Sequence, residues 1–160
     1  MDSQNSPSSI EAPQIVETKD QRTAMIAIKT PASNIRTAMG EGLKELHDAL
    51  AAQRITQTGP WFTHHLRAPG QDFDFEIHLP IESDVTPTGR VVAGIWPAMT
   101  VLRTTYRGGY EGLGSAWGEF LKQTSDHELA DDLWEVYCVG PEAGPDTSVY
   151  ETQLNKPLKR

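Results

Sequence analysis

Along the chain, apolar residues switch from alternate positions to every third or fourth position and back, and they do so twice. Gln14 to Lys19 (QIVETK) and Thr23 to Lys29 (TAMIAIK) are short runs rich in β-branched and apolar residues around a polar turn, which predicts a hairpin. From Asn34 to Gln53, Ile35, Met39, Leu43, Leu46 and Leu50 recur at spacings of three and four, with Pro31 and Ser33 as start signals. That spacing predicts an amphipathic helix. After the break at Gly59-Pro60, Trp61 to Leu66 (WFTHHL) reads as a strand, and Phe73 to Leu79 (FDFEIHL) alternates apolar and polar residues at period two. Ala68-Pro69-Gly70-Gln71 supplies the turn between them.

The order then recurs. Arg90 to Trp96 and Met99 to Tyr106 predict strands, Glu111 to Thr124 a helix burying Leu113, Trp117, Phe120 and Leu121, and Leu133 to Val139 and Thr147 to Leu154 two further strands. Gln14 precedes Asn34 by the same 20 residues that separate Arg90 from Tyr110, so each half carries a hairpin, a helix and a second hairpin. The expected fold is α+β: a pseudo-two-fold duplication of a β-α-β-β unit with antiparallel sheets, two long helices and a central ligand groove. Residues 1–12 are expected to be a disordered tail and 13–158 one domain. Its halves are 13–83 and 90–158, with Asp84 to Gly89 (DVTPTG) linking them.

The 160 residues, 38% hydrophobic and 22% charged, suit one globular core, and no apolar run approaches the ~18 residues needed to cross a bilayer. The N-terminal MDSQNSPSSIEAPQ lacks the basic and apolar segments of a signal peptide, so a cytoplasmic location is expected. Cys138 is the only cysteine, which excludes an internal disulfide and any multi-cysteine metal centre. A formal charge of -8 without basic runs argues against duplex binding and favours cations as partners. Gly108, Gly109, Gly112 and Gly114 lack the Lys-Ser/Thr of a phosphate loop, so no nucleotide cofactor is expected.

Alternation along Leu133 to Val139 puts Glu135 and Tyr137 on one face and Trp134, Val136 and Cys138 on the other. The second face is the more apolar and is expected to be the helix-covered core, with Cys138 inert within it. Glu135 and Tyr137 then look into the groove. Trp61 to Leu66 takes the matching place in the first half, so Phe62 and His64 are expected to mirror them. Trp96, Tyr106 and Tyr110 are further candidates for the groove wall, whereas Trp117 sits on its helix's core stripe. Asp74, Glu76 and His78 share a strand face, read as the wet side of the sheet in preference to an acid-base cluster or a metal site. His64 and His65 point oppositely and no His-x-x-x-His pairing occurs, so no metal site is expected.

Several motifs together resemble the GyrI-like small-molecule-binding domain, which also serves as effector domain in AraC-type and MerR-type regulators. Tyr106-Arg107-Gly108-Gly109-Tyr110 is similar to its strand-to-helix turn, with tyrosine where most members have histidine, and Trp117 with Phe120-Leu121 resembles its helix. Trp134-Glu135-Val136-Tyr137 is similar to its Glu-x-Tyr strand, and Thr152 with Pro157-Leu158 to its closing strand. Asp74-Phe75-Glu76-Ile77 followed by Pro80-Ile81 resembles its acidic strand, adding Glu76 to the candidate ligand contacts. The resemblance implies a ligand lying between two pseudo-symmetric units against an ionised glutamate, here Glu135, and aromatic rings. The function expected is a stand-alone protein that holds aromatic or cationic amphipathic compounds, for drug or toxin sequestration or sensing. The alternative is a hydrolase opening cyclopropane rings of DNA-alkylating natural products, with Glu135 as general base and Tyr137 or Glu76 assisting. A third reading is a gyrase-type modulator acting on a protein partner. No basic recognition helix is present, so direct DNA binding is not expected.

Overall fold

In the computed structural model, which describes residues 10–67 and 70–159, the alternating runs pair into one antiparallel sheet. Its strands are β1 (Gln14–Glu17), β2 (Gln21–Pro31), β3 (Phe62–His65), β4 (Asp72–Pro80), β5 (Val92–Trp96), β6 (Thr100–Arg107), β7 (Leu133–Val139) and β8 (Glu151–Pro157). The helices are α1 (Ile35–Gln53) and α2 (Leu113–Gln123). Strand order is β1-β6-β8-β7-β3-β4-β2-β5, so the two halves meet at the central β7-β3 pair as one eight-stranded sheet instead of separate sheets.

Neither predicted N-terminal hairpin forms. β1 pairs with β6 of the other half, Ile15 opposite Leu102, and β5 pairs with β2, Ala93 opposite Ala24. The consequence is geometric. β1 and β2 stand six strand spacings apart, about 29 Å in a flat sheet, yet only Thr18 to Asp20 join them, a reach of about 14 Å. Pro97 to Met99 join β5 to β6 across the same span. The sheet must therefore curl until its ends meet, and the links do lie together: Met99 O accepts from Thr18 N at 2.8 Å and Asp20 Oδ1 from Ala98 N at 2.7 Å.

Curling creates three apolar cores. On the outer face, α1 sets Leu46, Ala49 and Leu50 on Ile26, Ile28, Phe75, Ile77 and Leu79, and α2 sets Ala116, Trp117 and Phe120 on Leu102, Tyr106, Leu133 and Leu154. Inside the curl, Phe62, Trp96, Trp134 and Val136 pack together with Met99. The face bearing Val136 is thus buried without a helix, and it is the Glu135 face that the helices flank. Cys138, expected in the core, is exposed.

Two boundaries differ from expectation. Thr147–Val149 form a 3-10 turn whose entry Asp146 accepts from Ser148 N at 3.0 Å, so β8 begins only at Glu151. Residues 1–9 of the expected tail and Ala68-Pro69 of the expected turn lie outside the described residues. Ile10 is buried and bridged to Tyr106, and Glu11 N donates to Thr105 O at 3.0 Å, so order begins before residue 13. α1 ends on Arg54 in the left-handed region at φ 58, where a side chain is strained. Arg54→Gly is expected to stabilise the fold by about 0.5–1 kcal/mol, read as a higher urea midpoint with unchanged m-value.

Candidate functional site

α1 and α2 cover the outer halves of the sheet and leave the central β3-β7 pair bare between them. The register sets Thr63 opposite Glu135 and His65 opposite Leu133, so Thr63, His65, Leu133, Glu135 and Tyr137 share the uncovered face. Above this floor, Ile35, Met39 and Leu43 of α1 face Leu113, Trp117 and Leu121 of α2, and Trp61, Phe73 and Tyr110 close the sides. The groove holds about 910 Å³.

Glu135 is 8% exposed. Its Oε1 accepts from the Tyr137 hydroxyl at 2.6 Å and its Oε2 from the Trp117 indole N–H at 2.6 Å, and His65 Nε2 lies 3.8 Å from Oε1. Because the Tyr137 proton is committed to Glu135, Thr63 Oγ1, 2.8 Å away, donates to the tyrosine oxygen. Burial, then the Glu135 charge and hydrogen bond, push the Tyr137 pKa well up, so it stays a neutral donor. Burial first, and Glu142 next, raise Tyr110 to about 12. Burial lowers the pKa of His65, with Glu135 opposing, and leaves its Nδ1 buried without a partner. Trp61 stacks on Tyr137 at 4.1 Å, and Tyr110 meets the same ring edge-on at 6.0 Å.

The strand-to-helix turn after β6 brings Trp117 and Tyr110 to this place. The Tyr106 hydroxyl donates to Gly109 O at 2.7 Å, Gly108 adopts φ 144, and a Cβ at Gly112 would strike the Tyr106 hydroxyl. Tyr106 is therefore a buried latch under α2 and does not line the groove.

Phe62, His64, Glu76 and Trp96 lie on the other side of the sheet, inside the curl, because each is out of phase with Glu135. Phe62 and Trp96 belong to the inner core; Trp96 stacks on Trp134 at 4.6 Å, and His64 stacks on the same Trp134 ring at 3.9 Å. The strand face of Asp74, Glu76 and His78 is not a wet side: His78 is fully buried. Glu76 Oε1 lies 3.0 Å from His64 Nδ1 and 2.9 Å from His78 Nε2. Burial opposes the Glu76 charge, but these two hydrogen bonds outweigh it and hold the carboxyl down at about 2. For His64, burial is outweighed by hydrogen bonds to Asp132 and Glu76, and its pKa is raised.

Thr63, His65, Trp61 and the groove role of Trp117 were missed, although the sequence held a signal for the first two. Setting Trp61 against Leu133, the starts of the matching predicted strands, places Thr63 against Glu135 and His65 against Tyr137. For Trp117 the signal was its four-residue spacing from Leu113 and Leu121, which also line the groove.

No protein-family model matches the sequence, and neither does any curated protein. Solved structures do. The crystal structure of the EcmrR C-terminal domain superposes with a TM-score of 0.81 at 17% identity, covering 93% of this chain and 98% of that one. The fold is GyrI-like. Against EcmrR in its complex with DNA, the TM-score is 0.81 at 16% identity, and the match covers 99% of this chain but 60% of that chain. A structure described as a hydrolase from Listeria innocua gives 0.65 at 12% identity, covering 98% and 95% of the two chains. SAV2435 bound to tetraphenylphosphonium gives 0.59 at 9%, covering 93% and 94%.

In this GyrI-like frame the Thr63-Tyr137-Glu135 chain ties the two halves together across their shared strand pair. Tyr137→Phe is expected to cost about 1–2 kcal/mol by leaving Thr63 and Glu135 each short of a partner. Chemical denaturation followed by tryptophan fluorescence measures it.

Proposed function

We propose that this chain binds small amphipathic aromatic cations in the groove between α1 and α2, with Glu135 as the charge that selects them. One observation carries the reading. Glu135 is buried, both its oxygens are held by neutral donors, and among the described residues no Lys or Arg forms an ion pair with it. A buried carboxylate without a cationic partner favours a ligand that supplies one, because the charge has already lost most of its hydration.

The surroundings support the same choice. Trp61, Tyr110, Trp117 and Tyr137 present rings around the carboxylate, each worth about 0.5–2 kcal/mol to a cation over its face. The groove lies within the range of about 300–1,000 Å³ common for small-molecule sites. That a structure of the same fold is described bound to tetraphenylphosphonium, itself an aromatic cation, agrees with this reading. Sequestration or sensing of such compounds would follow, and a single cysteine suits the reducing cytoplasm.

The test is a thermal-shift panel of hydrophobic cations, neutral isosteres of the same size and cyclopropane-bearing alkylators, with each mixture followed by mass spectrometry. Cations are expected to stabilise the chain more than their neutral isosteres and to be recovered unchanged. Recovery of an alkylator heavier by one water would assign hydrolysis instead. No stabilisation by any compound would refute the groove reading and favour a protein partner.

A further inference from the structure

The curl buries a second set of polar side chains that the groove does not use. β3 lies against β4 with His64 opposite Glu76 and Phe62 opposite His78, so His64, Glu76 and His78 converge on one spot of the inner face. Glu76 Oε1, His64 Nδ1 and His78 Nε2 all lie within 4.8 Å of one another. Each ring's far nitrogen is also held: His64 Nε2 is 2.7 Å from Asp132 Oδ2, and His78 Nδ1 is 2.8 Å from Thr23 Oγ1.

We propose that this cluster is a binding site for a divalent first-row transition-metal ion of the zinc or cobalt type, with His64 Nδ1, His78 Nε2 and the Glu76 carboxylate as ligands. Asp132 and Thr23 orient the two imidazoles from behind, and the fourth position is left to water.

Four features support the assignment. Tetrahedral bonds of about 2.0–2.1 Å place neighbouring ligand atoms roughly 3.3 Å apart, so contacts of 2.9 and 3.0 Å need open by only a few tenths of an ångström. Two imidazoles beside one carboxylate suit zinc, cobalt, nickel or copper, whereas magnesium and calcium prefer all-oxygen shells. Metal-bound histidines ordinarily pass their second ring N–H to a carboxylate or other oxygen, the relation in which Asp132 and Thr23 already stand. Glu76 and Asp132 together bring two negative charges, which balance a dication held by neutral imidazoles.

The site is also preorganised and reachable. His64 lies flat on Trp134, with ring centroids 3.9 Å apart and planes 9° apart, and His78 stacks on Phe62 at 5.1 Å, so neither ring is free to turn. His64, Glu76 and Asp132 side chains retain 16%, 20% and 27% exposure, which leaves an approach for the ion. Glu76 and His78 share the strand face for which the sequence left a metal site as the lesser alternative, but His64 joins them through no helical or knuckle spacing. Only the β3-β4 register brings them together.

The experiment is titration of chelator-treated full-length protein with Zn²⁺ by calorimetry, and with Co²⁺ by visible absorption and tryptophan quenching through Trp134. One ion per chain is expected, with the absorption bands of four-coordinate cobalt. Glu76→Gln and His64→Gln should weaken binding by about 100-fold, and Asp132→Asn by roughly 10- to 100-fold through its hold on His64. Circular dichroism checks that each variant folds, and Asp132, partly exposed and outside the strands, keeps the test valid if a buried variant does not. No binding, six-coordinate cobalt spectra, or an affinity unchanged in Asp132→Asn and Glu76→Gln would overturn the proposal, the last outcome marking adventitious capture by an acidic surface.

Discussion

Glu135→Gln is expected to weaken the binding of a hydrophobic aromatic cation by about 2–3 kcal/mol, roughly 30- to 150-fold in Kd, while the chain stays folded. The binding loss follows from removing a buried groove carboxylate with which no Lys or Arg of the described residues forms an ion pair. The tolerance of the fold follows from the hydrogen-bond chain. The amide oxygen can accept from Trp117 Nε1, and the amide N–H₂ can donate to the Tyr137 oxygen once Tyr137 turns its own proton to Thr63. The rearrangement frees the Thr63 proton and one amide N–H, so a stability loss of about 1 kcal/mol is expected beside the loss of binding, too little to unfold the chain. Tryptophan quenching on wild type and variant measures the affinity. Wild-type protein held with ligand at 100 times its Kd should gain about 2.7 kcal/mol of stability that the variant lacks at the same concentration. Equal affinity in the two proteins would sink the role of Glu135. Retained binding with lost turnover would move it from selecting a ligand to activating water.

Trp134→Ala is expected to cost about 3–5 kcal/mol, a large share of the 5–15 kcal/mol typical of a whole domain. Trp134 is 1% exposed, stacked against Trp96 at 4.6 Å and His64 at 3.9 Å and tilted against Phe62 at 5.9 Å. Its neighbours come from β3, directly beside β7, and from β5 at the far edge of the sheet order, brought together by the curl, so they can collapse into the void only by deforming it. Urea unfolding with circular dichroism detection reads the loss. A cost below about 0.5 kcal/mol is what a solvated sheet face would give, and it would contradict the buried inner core.

Much of this architecture was legible in local pattern. α1 and α2 lie where three- and four-residue apolar spacing put them, and β4 where strict alternation put it, because those periods report which side of an element meets a core. The choice of Glu135 and Tyr137 as a pair on one face was equally local. The identity of that face was not. The Val136 side looked like the helix-covered core because it is apolar, but apolarity says only that a face is buried, not what buries it. Here the curl buries it, and the helices flank the Glu135 side.

The same limit explains the candidates that fell elsewhere. Phe62, His64, Glu76 and Trp96 carry the chemistry of a binding site, and three of them are aromatic, yet strand phase turns each away from the groove. Thr63 and His65 reach it because the β3-β7 register sets them beside Glu135 and Leu133. What the sequence by itself determined is the periodic content: two amphipathic helices, eight short strands, a duplicated order and a carboxylate alternating with aromatic residues along Leu133 to Val139. What only the tertiary structure decided is partnership. β1 and β5 change halves, the sheet closes on itself, and His64, Glu76 and His78 converge, because pairing depends on distant backbone groups and on links too short to span a flat sheet. No local period encodes those constraints.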